Sequence, residues 1–82
     1  MDYTQTTNTD RAKWLSLTNT ERKYLQLVAD GSTNPQAADK AGVAVQTVAN
    51  ALRKVNAKLG VHTRTEAVLW AATRGYLEVE VG

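Results

Sequence analysis

Four glycines divide this chain into helix-sized pieces. Gly31, Gly42, Gly60 and Gly75 each follow a short stretch of helix-forming or periodic apolar residues. Glycine is the residue that most readily takes the left-handed conformation with which helices stop. Helix starts are marked as well. Thr18 and Glu21, and again Thr63 and Glu66, stand three apart. At that spacing a Thr oxygen accepts from the third helical N–H while the Glu reaches back to the cap N–H. This punctuation predicts an all-α domain of four short helices.

The first helix is expected within residues 17–31, capped by Thr18, with an apolar face of Tyr24, Leu25, Leu27, Val28 and Ala29 and with Leu17 stapling its start. The second should run over residues 35–41, with Asn34 as the cap and Pro35 in the first turn, where a missing N–H costs nothing. It is Ala-rich (Ala37, Ala38, Ala41), which lets it approach its neighbours closely. The third is expected over Val45–Leu59. Val45, Val48, Leu52, Val55 and Leu59 step by three and four and share one stripe. The opposite face holds Gln46, Asn50, Arg53 and Ala57, flanked by Ala49 and Lys54. The fourth should cover residues 64–74, with Ala67, Val68 and Ala71 inward. Residues 1–16 carry four Thr in the first nine and read as a flexible arm, in which residues 10–15 make at most one turn, with Trp14 and Leu15 tucked onto the domain. The alternating residues 76–81 are strand-like but short, and residues 78–82 read as a tail. The tight turn at Gly42 joins the second and third helices as a helix-turn-helix, in which the third is the reader.

Size and composition exclude other classes. With 82 residues there is one core, formed by residues 17–77. There is no Cys, hence no disulfide and no thiolate metal site, and a reducing, cytoplasmic setting is expected. A single His, His62, reads as a surface residue, so neither a metal nor another cofactor is expected. No apolar run reaches the roughly 18 residues that cross a bilayer, so no membrane partner is expected. Ser16 and Ser32 have no base placed by a motif, and there is neither a phosphate-cradling glycine loop nor a meaningful carboxylate pair, which argues against an enzyme.

The net charge is only +2, but its distribution is informative. Across residues 41–65 the charged side chains are Arg53, Lys54, Lys58 and Arg64, with no acid among them. A cationic middle inside a near-neutral chain implies one basic face.

Three blocks carry a family resemblance: L-T-N-T-E-R-K-Y-L-Q-L-V-A-D-G-S-T-N (residues 17–34), G-V-A-V-Q-T-V-A-N (42–50) and K-L-G-V-H-T-R-T-E-A-V (58–68). Together they resemble the LuxR-type, or GerE-like, helix-turn-helix domain over about residues 17–77, and the last block is the most specific. The resemblance implies a bacterial or phage transcription regulator that binds double-stranded DNA with its third helix in the major groove and forms a homodimer through its fourth. It implies a stand-alone member or a piece of a larger regulator, since only residues 1–16 precede the match. The chain departs from the family pattern in several places. Ala44 stands where a capping Ser is usual, Ala49 and Pro35 where Lys is usual, and Ala51 where His is usual. Ala37 and Ala41 replace larger apolar residues. Fewer basic positions imply weaker phosphate attraction, or help from a partner.

The candidate DNA-binding residues are Gln46, Thr47, Ala49, Asn50, Arg53, Lys54, Lys58 and Asn34. Asn suits adenine, and Arg suits guanine or phosphate. Thr47 serves either phosphate or the helix start. Lys58 serves either phosphate or solubility, and Asn34 is already accounted for as a cap. The candidate dimer residues are Leu69, Trp70, Ala72 and Thr73, of which Leu69 lies far from the inner stripe, while Trp70 also suits packing on the arm near Trp14. A competing function is a protein-interaction module of the same fold that pairs with a larger regulator or with RNA polymerase without reading DNA. The losses at Pro35, Ala49 and Ala51 favour it, and the basic stretch counts against it. A sigma-factor region 4-like piece shares the L-T-x-x-E opening but lacks the 58–67 block.

Overall fold

The computed structural model describes residues 3–78, and of residues 3–8 the backbone alone. Among the described residues there are five helices: α1 Tyr3–Leu15, α2 Asn19–Ala29, α3 Asn34–Ala41, α4 Val45–Leu59 and α5 Arg64–Thr73. The four expected helices are α2 to α5, and the domain is all-α as read from the sequence. α1 is a correction. The arm forms thirteen residues of helix rather than one turn.

Tertiary contacts explain why α1 forms without a strong apolar stripe. Trp14 stacks on Tyr76 at 5.0 Å and nearly parallel, and Tyr76 in turn stacks on Trp70 at 5.9 Å. Arg74 closes the circuit: its guanidinium lies 4.4 Å over Trp70 and its Nε donates to Asp10 Oδ2 at 2.9 Å. The last carbonyls of α1, Trp14 and Leu15, accept from Arg22 Nη2, a cation at a helix C-terminus. Trp14 is therefore tucked in as expected, but Leu15 is 58% exposed.

Capping follows the sequence in two places and departs from it in two. Thr18 and Glu21 complete their box at α2, with Thr18 N–H donating to Glu21 Oε1 at 2.8 Å and Glu21 N–H to Thr18 Oγ1 at 3.0 Å. Ala44 makes no side-chain cap at α4. At α3 the cap is Thr33, not Asn34, because Gln36 stands three residues beyond Thr33 and completes a second reciprocal pair. Two bonds from Thr33 and Gln36 satisfy more helix-end donors than one Asn cap would. Asn34 and Pro35 then occupy the first turn of α3. At α5, Thr63 accepts from Glu66 N–H at 3.1 Å, but the returning Glu66 Oε2 meets His62 N–H at 3.5 Å, one residue earlier than the box requires. α5 ends at Thr73, one residue short of the expected 64–74 span, with Arg74 as its C-cap.

Gly42 sits at φ 70° and Gly60 at φ 73°. After each, the next N–H reaches five residues back, Val43 to Ala38 at 3.0 Å and Val61 to Asn56 at 2.9 Å, the closing bond of a left-handed helix stop.

The core is Leu17, Tyr24, Leu25, Ala37, Ala38, Val48, Leu52, Val55, Leu59, Ala67, Ala71 and Leu77. Alanine at four of these positions lets α3 and α5 close tightly on α2 and α4. Val45, expected on the inner stripe, is 45% exposed and is not packed against the core cluster, so the buried stripe of α4 begins at Val48. After α5, Gly75 turns the chain back, and Leu77 is buried while Gln26 Nε2 donates to the Glu78 carbonyl at 2.9 Å. Residues 79–82, most of the expected tail, lie outside the described residues. No helix among the described residues is long and apolar enough to cross a membrane.

Candidate nucleic-acid interface

α3 and α4 are joined by the three residues Gly42, Val43 and Ala44, and the left-handed Gly42 turns the chain sharply between them. Val48, Leu52, Val55 and Leu59 are buried, so the opposite side of α4 faces solvent. Gln46, Thr47, Asn50, Arg53 and Lys54 are exposed there, and Ala49 is half-buried at their margin. Gln46 Nε2 donates to Asn50 Oδ1 at 2.9 Å, one helical turn apart.

Shallow grooves run along both sides of this face. One is lined by Asn34, Ala49, Leu52, Arg53, Asn56, His62 and Arg64. Its geometry depends on a contact thirty residues long in sequence: Arg64 Nη1 donates to Asn34 Oδ1 at 2.9 Å and is thereby held beside Arg53. The other groove lies between the start of α2 and α4, with Thr18, Thr20, Thr47, Asn50 and Lys54 along it. Glu21 lies at this second groove, but its charge is matched. Burial pushes its carboxyl upward, and the bonds from Lys58 and from Thr18 N–H outweigh that and hold it below the ordinary carboxylate value. Lys58 Nζ donates to Glu21 Oε1 at 2.7 Å and to the Ser16 carbonyl at 3.2 Å. Its ammonium is thus engaged within the chain.

The structure brings Gln46, Thr47, Ala49, Asn50, Arg53 and Lys54 onto one face, with Asn34 at its edge, and turns Lys58 toward α2. Arg64 and His62 join the face from the α5 side and were not singled out by sequence reasoning. The acid-free stretch already contained Arg64, but only the pairing with Asn34 puts its guanidinium beside the reading face.

On α5, Leu69 is 57% exposed and Thr73 is exposed beside it, its hydroxyl donating to the Leu69 carbonyl at 2.8 Å. Ala72 is half-buried. Trp70 is half-buried, with Tyr76 and Arg74 both packed against its ring. A groove between α2 and α5, including Val28, Ala29 and Val68, opens next to Leu69. No cluster of metal-ligating side chains occurs among the described residues.

A family model described as "Bacterial regulatory proteins, luxR family" matches residues 15–71. The chain is 44% identical over 55 residues to the DNA-binding transcriptional activator DevR/DosR of Mycobacterium tuberculosis, covering 67% of this chain and 25% of that protein. It is 47% identical over 57 residues to the HTH-type transcriptional activator RamA of Corynebacterium glutamicum, covering 70% and 20%. It is 44% identical over 62 residues to the putative HTH-type transcriptional regulator Rv0890c of M. tuberculosis, covering 76% and 7%. The chain spans a quarter or less of the length of these relatives.

Proposed function

Because this chain belongs to the luxR family of bacterial regulatory proteins, we propose that it binds double-stranded DNA in the cytoplasm and regulates transcription, with α4 in the major groove. The family is one of regulators and not of enzymes. The observation that carries the reading is the exposed, acid-free outer face of α4, where Gln46, Asn50, Arg53 and Lys54 stand together between two shallow grooves. A major groove about 12 Å wide admits one helix, with a phosphate ridge on each side. Gln46, Asn50 and Arg53 meet base edges, with Ala49 close against them. Thr47 and Lys54 meet one ridge. Arg64, held by Asn34, meets the other with His62 and makes up for the cations absent at Pro35, Ala49 and Ala51. Lys58 contributes by neutralising Glu21 rather than by touching phosphate.

The protein acts as a homodimer on two half-sites, through the α5 face of Leu69, Ala72 and Thr73. Trp70 adds only its ring edge, since Tyr76 and Arg74 are packed against the ring. The test is a binding selection from random duplexes at two salt concentrations. An enriched motif is expected, with a log–log salt slope of about −5 to −9 for a dimer making 3–5 phosphate contacts per protomer. Arg53→Ala should cost about 1–3 kcal/mol and relax one base position. The Leu69 face and the loss of basic residues on the DNA side support the second reading, a module that pairs with a larger regulator or with RNA polymerase. A selection that enriches nothing would favour that reading.

A further inference from the structure

The geometry points to adenine as the base read by Gln46 and Asn50 acting as one unit, an inference that rests on the DNA-binding reading above. The two side chains are not independent probes. Gln46 Nε2 donates to Asn50 Oδ1 at 2.9 Å, which ties the two amides together and leaves one N–H on Gln46 Nε2 and one lone pair on Asn50 Oδ1. That bond engages neither Gln46 Oε1, an acceptor, nor the Asn50 amide nitrogen, a donor.

In the major groove only adenine presents, on a single base, a donor next to an acceptor: N6–H and N7. Guanine presents two acceptors, cytosine a donor, and thymine an acceptor with a methyl group. The amide pair therefore matches adenine, with Asn50 donating to N7 and Gln46 accepting from N6–H. On guanine, which offers acceptors alone, the Gln46 oxygen finds no donor. Arg53, one turn further along α4, carries the donors that suit a neighbouring guanine.

A second observation points to the same base pair. Val45 is 45% exposed in the first turn of α4, at the edge where the core stripe meets the reading face, and Ala49 follows it one turn on toward Arg53. No core contact requires Val45 to be apolar there. The thymine paired with adenine offers its C5-methyl in the groove, and Val45 with Ala49 forms the apolar surface to receive it.

The test uses the full chain and the duplex enriched by selection, with 7-deazaadenine, which lacks N7, replacing each adenine of a half-site in turn. One position should lose roughly ten-fold in affinity, the size of a good base contact. Asn50→Ala should bind the natural and the substituted duplex equally. Gln46→Ala should lose part of the discrimination between adenine and guanine at that position. The double variant should be no worse than Asn50→Ala alone, since the pair works jointly. Far-UV circular dichroism confirms that these exposed substitutions leave the fold intact. If an enriched duplex tolerates 7-deazaadenine everywhere, or if Asn50→Ala keeps the adenine preference, this inference falls while DNA binding stands. If no duplex is enriched, both fall together.

Discussion

Gly60 offers a clean separation of backbone strain from steric crowding. It ends α4 at φ 73° and ψ 31°. A Cβ built on it would meet only the tip of Lys13, at 3.9 Å, an ordinary contact with the end of a flexible side chain. Substitution at Gly60 therefore tests conformation rather than room. For alanine the left-handed conformation costs about 1–2 kcal/mol. The lost flexibility of glycine in the unfolded chain offsets about 0.4–1 kcal/mol of that, leaving Gly60→Ala destabilised by about 1 kcal/mol. A β-branched residue resists positive φ more strongly, and Gly60→Val should reach about 2–3 kcal/mol. Asparagine tolerates this region, so Gly60→Asn should fall within about 0.5 kcal/mol of the parent.

In a domain of this size each kcal/mol lowers Tm by about 4–8 °C. The ordering Asn, Ala, Val should therefore be plain in thermal melts followed by far-UV circular dichroism. Equal losses for all three substitutions would refute the argument, because strain alone distinguishes them. A loss for Asn as large as that for Val would point to crowding by the side chain instead.

Thr33→Ala should cost about 0.5–2 kcal/mol by removing the α3 cap, whereas Asn34→Ala should leave Tm nearly unchanged and weaken DNA binding by freeing Arg64; equal melting losses would return the cap to Asn34. The Glu21 carboxyl is held below its ordinary value by Lys58 and by Thr18 N–H, so its contribution to stability is present at neutral pH and is lost as the pH falls from the ordinary carboxylate range through the lower folded value. Glu21→Gln should be less stable than the parent at pH 7 and flatter across the acid range, and parallel pH profiles would show that the ion pair does not contribute. Leu69→Glu places like charges in the proposed dimer face without touching Ala67 or Ala71. It should sediment as a monomer and bind a two-half-site duplex roughly ten-fold more weakly, and an unchanged dimer would move the interface elsewhere, with α1 the next candidate.

The sequence by itself determined what is local. Capping boxes, glycine stops and three-and-four spacing act within a turn or two of helix, so α2 to α5, the Gly42 turn and the outward set Gln46, Asn50, Arg53 and Lys54 are all legible without a structure. The missing cap at Ala44 is legible for the same reason. Even the α3 start, read one residue late, was local: Thr33 and Gln36 have the capping spacing, and the favoured Asn34–Pro35 pair masked it.

Tertiary structure decided what depends on partners distant in the chain. α1 has no marked apolar stripe of its own, and it is fixed by Tyr76, Trp70 and Arg74, more than sixty residues beyond its start. Val45 belongs to the core stripe by periodicity and to the surface by position, because burial requires a neighbouring helix at that height, which spacing along one helix does not encode. Lys58 and Arg64 are both cations in one acid-free stretch, yet Glu21 holds the first toward α2 and Asn34 holds the second beside the reading face. Long side chains can reach in several directions. The direction each takes is set by the partner that folding brings within hydrogen-bond distance.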